Sequence, residues 1–156
     1  MTAEQLLAYL EEIHEVNLRC VEMISPEQLD FRPAPEVMSV RELLYHMYVN
    51  QKFYVQTTIS DMMDVNEYKQ WMQLTPPDKR ALLSFMRGVF SETQALLSDL
   101  QDPSKTITTL AGPRTLFHLF VGELEHQLHH RGQLYTYIRL LGLQPPDSGN
   151  FMGLSF

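Results

Sequence analysis

Four stretches of the chain carry apolar residues at intervals of three and four, and that periodicity restricts the fold more than any other feature. Leu6, Leu10, Ile13, Asn17, Val21 and Ile24 fall on one face of a helix over residues 2 to 24, with Thr2 as its N-cap. Ser39 and Glu42 form a capping-box pattern that opens a second helix, whose stripe of Leu43, Met47, Tyr54 and Thr58 runs to residue 59. Thr75-Pro76-Pro77-Asp78 supplies a cap, prolines in the first turn and a carboxylate facing the dipole of a third helix, traced by Leu82, Met86, Val89, Thr93, Leu96 and Leu100. Leu116, Leu119, Phe120, Leu134, Ile138 and Leu141 mark the fourth, with Gly142 as a left-handed stop and Pro145-Pro146 beyond. Each stripe must be buried against another, so the expected fold is all-α, a four-helix bundle.

The intervening segments agree with this. Pro26, Pro33 and Pro35 hold the stretch from Ser25 to Met38 as an ordered, non-helical connection. Residues 60 to 74 are apolar but imperfectly periodic and read as a short helix. No strand alternation extends beyond Thr106 to Leu110, and no repeat period is present.

At 156 residues the chain has the size of one domain, 1–156, able to bury a core without staples. A formal charge of −7 and a pI near 5.3 leave no basic surface to replace phosphate counterions, which argues against nucleic acid and against anionic membranes. No apolar run approaches the ~20 residues of a spanning helix. Met1 to Gln5 lack the basic start and apolar block of a secretory signal, so a cytoplasmic location is expected. The single cysteine, Cys20, is expected to be a core residue of the first helix.

Chemistry concentrates in Glu125-His126-Gln127-Leu128-His129-His130-Arg131-Gly132-Gln133. His126 and His130 stand four residues apart, within about 20° of the apolar stripe, so two imidazoles converge over one turn. His118 and His129 fall about 80–100° away on a polar flank. Two ligands make a weak metal site, and His46, beside Leu43 and Met47 on the second helix, is the candidate for a third. Three neutral imidazoles with open positions are the pattern of a catalytic metal site. Zinc, nickel and iron all accept such a set. Gln133 could orient an imidazole, Arg131 could receive an anionic group, and Asn50 shares the side of His46. Gly132 inside a helix normally needs a reason, and close approach of a neighbouring helix is one.

Other patterns in the chain compete with this one. A lone inward histidine such as His14 is usually a core residue, and the pair His126/His129 has acceptable spacing but points off the stripe. Glu11-x-x-His14 and Glu123-x-x-His126 have the spacing of di-iron bundles, a reading that needs two further inward glutamates. Glu42 is better explained by its cap, and Glu92 has no clear inward position.

The string from His126 to Gln133, preceded by Ser39-Val40-Arg41-Glu42-Leu43-Leu44-Tyr45-His46, resembles the DinB/YfiT-like family over essentially the full length, the Leu29-Asp30-Phe31-Arg32-Pro33 connection included. The resemblance implies an up-down-down-up bundle with a metal held by one histidine of the second helix and two of the last, here His46, His126 and His130. Many relatives carry asparagine where this chain has Glu125. The resemblance also implies a metal-dependent enzyme that transfers a low-molecular-weight thiol, such as bacillithiol or mycothiol, to a small electrophile, or else hydrolyses a small molecule with activated water. From another class comes a non-catalytic metal- or ligand-binding bundle. A homodimer is expected, with the segment Met62 to Met72 or the tail Phe151 to Phe156 as possible interfaces, although the tail is better suited to covering the protein's own core.

Overall fold

The computed structural model describes residues 2–147. Its long helices are α1 (Ala3–Met23), α2 (Val40–Ser60), α4 (Lys79–Ser98) and α5 (Leu116–Leu140), with a short α3 (Val65–Trp71) and a 3-10 turn at Glu27–Asp30. The polar residues before each stripe set the helix starts. Thr2 with Gln5 and Ser39 with Glu42 form complete capping boxes, and Asp64, Asp78 and Thr115 accept from the first-turn N–H groups of α3, α4 and α5. For α4 this corrects the expected start: Pro76 and Pro77 lie before the helix and Asp78 is its cap. Leu100 lies beyond its end. Gly142 adopts φ +77°, the left-handed stop that its position after α5 predicts.

Two parallel and two antiparallel pairings make the bundle. α1 and α2 each pack mainly on α4 and α5. Asn17 meets Gln127 while Leu6 and Leu10 pack with Phe120 and Leu124, so α1 and α5 run the same way. Gln51 meets Thr93 and Tyr45 meets Phe85, so α2 and α4 do too. His46 meets His126 and Asn50 meets Glu123, which makes α2 and α5 antiparallel. The order is therefore up, down, down, up. Helices consecutive in sequence lie diagonally or in parallel, which is why all three connections must be long. Among the described residues no helix is long and apolar enough to cross a membrane.

One of those connections departs from an all-helical chain. Thr106–Thr109 and Gly112–Thr115 form an antiparallel hairpin, β1 and β2, closed by Leu110 and Ala111, with Gly112 at φ +90°. Its β-branched first strand buries Ile107 against Leu116 and Leu119 in a small core beside Tyr54 and Met63. The second strand, Gly-Pro-Arg-Thr, has no apolar alternation, so only its partner was visible in the sequence.

The segment expected to offer an interface is partly buried. Tyr68, Trp71 and Met72 pack against the main core, the Tyr45 hydroxyl donates to the Trp71 carbonyl at 2.8 Å, and Met62 alone of the named residues stays well exposed. The expectation for Phe151 to Phe156 lies outside the described residues. Cys20 is fully buried, and burial pushes its thiol up to about 12, as a core role requires.

Candidate metal centre

Three histidines meet where α2 and α5 cross. His46, His126 and His130 place one ring nitrogen each within 4.8 Å of one another. The Nε2 atoms of His46 and His126 are 3.1 Å apart. His126 and His130 meet through the i, i+4 geometry of α5, with ring centroids 4.4 Å apart, and His46 faces both at 4.9 and 4.8 Å. The third candidate of the sequence thus comes to the inward pair.

Neighbours fix each ring. His130 Nδ1 lies 2.7 Å from Gln133 Oε1, so it carries the hydrogen and donates it, leaving Nε2 as a lone pair. Tyr68, from α3, brings its hydroxyl to 3.5 Å from His46 Nδ1. His126 Nδ1 is buried and has no hydrogen-bond partner among the described residues, with a carboxylate oxygen, Glu123 Oε2, at 4.0 Å. All three imidazoles are held neutral. Burial, then the neighbouring His130, His46 and His129, press His126 down to about 3. Burial and His130 lower His46, while burial and His129 lower His130 against the opposing hydrogen bond that it donates to Gln133.

Three neutral imidazoles suit a divalent cation, and one of their spacings already matches it. Two nitrogens sharing one ion on bonds of about 2.0–2.1 Å stand roughly 3.0–3.4 Å apart, and the His46–His126 spacing falls in that range. Neutral imidazole is the ligating form, and burial supplies it at neutral pH. Nor is the cluster sealed. The His126 side chain is 21% exposed, which leaves room for a small molecule.

The other expected residues divide. Gln133 touches His130 as anticipated, whereas Asn50 touches no histidine and instead donates to Glu123 Oε2 at 2.7 Å. Arg131 lies about 100° round the helix from His130, and its charge acts on Cys20 and on Tyr135. A Cβ on Gly132 would meet nothing within 4 Å, so no helix approaches there. His129 is exposed and outside the cluster, although its ring lies 4.9 Å from that of His130.

His14 is the core residue expected of a lone inward histidine, stacked on Phe90 and 2.7 Å from the Tyr48 hydroxyl. The di-iron pattern is not assembled among the described residues: Glu11 and Glu92 are exposed and Glu42 is occupied at its cap. Glu123 was visible in the sequence only as part of that pattern. It is fully buried, and the signal for it was available, since three residues before His126 lies on the same inward face.

A cleft of about 270 Å³ opens one turn before His126, between Tyr54, Met63, Leu110, Arg114, Leu119 and Gly122. Arg114 and His118 border it, and none of its lining residues is acidic. Another cleft, about 330 Å³, lies among Tyr45, Lys52, Trp71 and Phe85, and none of the three histidines lines it.

Fold and site together define a four-helix-bundle protein with a three-histidine cluster between its second and last long helices. The DinB family model matches residues 1–150, and the chain belongs to the DinB family. It is 22% identical to the uncharacterized protein YjoA of Bacillus subtilis over 145 residues, covering 90% of this chain and 91% of that one. The crystal structure of YjoA superposes with a TM-score of 0.77, covering 95% and 99% of the two chains. YfiT from Bacillus subtilis, described as a probable metal-dependent hydrolase with an unusual four-helix bundle topology, superposes at 0.75 with 19% identity, over 91% and 89%. A mycothiol-dependent maleylpyruvate isomerase superposes at 0.68 with 12% identity, covering 86% of this chain and 61% of that one.

Proposed function

We propose that this protein is a metal-dependent enzyme in which His46, His126 and His130 hold one divalent ion, and that it transfers a low-molecular-weight thiol to a small electrophile. Hydrolysis is the second reading, favoured by the description of YfiT, while the isomerase of the same fold favours the thiol reaction. The observation that carries both is the convergence of three neutral imidazoles at a partly open position. When bound, the ion lowers the pKa of a thiol or water beside it and so provides a nucleophile near neutral pH.

The chain's own groups do the rest. Tyr54 and Tyr68 have their phenols raised by burial, so both remain proton donors at neutral pH. Tyr54 lines the cleft one turn before His126, which can take the apolar body of a substrate against Met63, Leu110 and Leu119, although none of the three histidines lines it. Arg114 at its rim suits an anionic end.

Metal analysis of protein purified without a metal-binding tag comes first, with about one equivalent of a divalent ion expected. Protein loaded with that ion is then incubated with small electrophiles while the thiol is varied. A rate that rises with thiol and vanishes without it supports transfer. Turnover without thiol selects hydrolysis, and absence of metal at the histidines overturns both.

A further inference from the structure

Glu123 is outside the ligand set proposed above, yet it has 0% exposure and sits three residues before His126. Asn50 Nδ2 donates to its Oε2 and Gln127 Nε2 to its Oε1, each at 2.7 Å. Gln127 also donates to the Met47 carbonyl at 3.1 Å and accepts from Asn17 Nδ2 at 3.2 Å. Gln51 lies 3.4 Å from the same amide and donates to the Thr93 hydroxyl at 2.8 Å. The carboxylate therefore ends a polar seam that crosses all four long helices. On its free side stands His126 Nδ1, buried and without a partner among the described residues, 4.0 Å from Oε2.

A ring N–H left unpaired in the interior costs about 1–3 kcal/mol, and the two Glu123 oxygens have lone pairs to spare. We propose that Glu123 is a positioning residue whose carboxylate accepts the Nδ1 hydrogen of His126 and so holds that ring with its Nε2 lone pair facing His46. The inference rests on the ligand reading above only for its consequence in metal affinity. The present separation is about one ångström beyond a hydrogen bond, a gap that a small rotation of the ring closes.

The donor count explains why a carboxylate stands here. Three donors converge on it, from Asn50, Gln127 and His126. An amide of the same size offers one acceptor oxygen and turns its own N–H groups on at least one of the three. Glu123→Gln thus keeps the volume and removes the function. Thr93→Val breaks the same seam at its far end, where it touches neither Glu123 nor the histidines.

Two measurements test the proposal. Long-range 1H–15N spectra of metal-free, 15N-histidine-labelled wild type, recorded at about pH 9 where Glu123 is ionised, should show His126 protonated at Nδ1. Zinc titration against a chromophoric chelator should give Glu123→Gln an affinity about 10–100-fold below wild type, the loss seen when such partners of a ligating histidine are removed. Thr93→Val should stay within about threefold, with thermal unfolding run on both variants. His126 found protonated at Nε2, an unchanged zinc affinity for Glu123→Gln, or an equal loss in Thr93→Val would each overturn it. Should Glu123→Gln fail to fold, the wild-type spectrum alone decides. If His130→Ala leaves zinc binding unchanged, the ligand reading fails separately, while the tautomer still judges Glu123.

Discussion

His129 and His130 are adjacent in sequence and differ by one step of a helical wheel, and that step separates an exposed side chain from one at the cluster. Zinc titration should therefore find His129→Ala close to wild type, and His46→Ala, His126→Ala and His130→Ala each weakened by more than about 100-fold, beyond what loss of an outer partner causes. A stripped site in His129→Ala with binding retained in His130→Ala would put the metal on the other flank of α5. The histidines were legible because their spacing and apolar neighbours obey one period. Glu123 was overlooked although its place on the wheel was visible, because a glutamate on an apolar face reads as a misfit until the donors that satisfy it are known, and one of them, Asn50, comes from another helix.

Caps and stripes made the four long helices readable, since local chemistry fixes their starts and burial of one face fixes their extent. What escaped was the element whose reason lies elsewhere. The β hairpin depends on Ile107 finding Leu116 and Leu119, a contact that strand periodicity over four residues cannot announce. Helix α3 has only seven residues, too short to persist alone, and is held by the Asp64 cap and by Tyr68 and Trp71 on the core. Replacing Asp64 with Ala should cost about 1 kcal/mol within that helix, speeding amide exchange of residues 65–71 about fivefold while α2 is unaffected. Faster exchange in α2 as well would show that α3 and the bundle open together. Gly132 makes the opposite case. With no atom near its missing Cβ, Gly132→Ala should stabilise α5 by about 0.5–1 kcal/mol and raise Tm by roughly 2–4 °C. A lower Tm would mean that the backbone there needs glycine's freedom.

Across the molecule, buried ionisable groups set how stability responds to acid. His14, stacked on Phe90 inside the bundle, is pressed down to about 4 by burial and then by the Arg87 charge, against an ordinary 6.5. Its folded value lies below its unfolded one, so on acidification the unfolded chain takes the proton first. The contribution is complete above pH 6.5 and is lost as pH falls towards 4, at about 1.4 kcal/mol per pH unit. Glu123 has the reverse sign. Burial raises it to about 8 against the pull of Gln127 and Asn50, so in the metal-free protein its contribution is complete below pH 4.5 and lost as pH rises through 8. The metal-free curve mixes both slopes, and His126, pressed down to about 3, adds to the first. A difference isolates His14, because His14→Gln leaves the other groups in place. Urea unfolding of metal-free wild type between pH 6.5 and 4.5 should show a stability loss larger than that of His14→Gln by about 2–3 kcal/mol. Equal losses in the two proteins would mean that His14 accepts its proton in the folded bundle, and that the core around Tyr48 and Phe90 accommodates the charge.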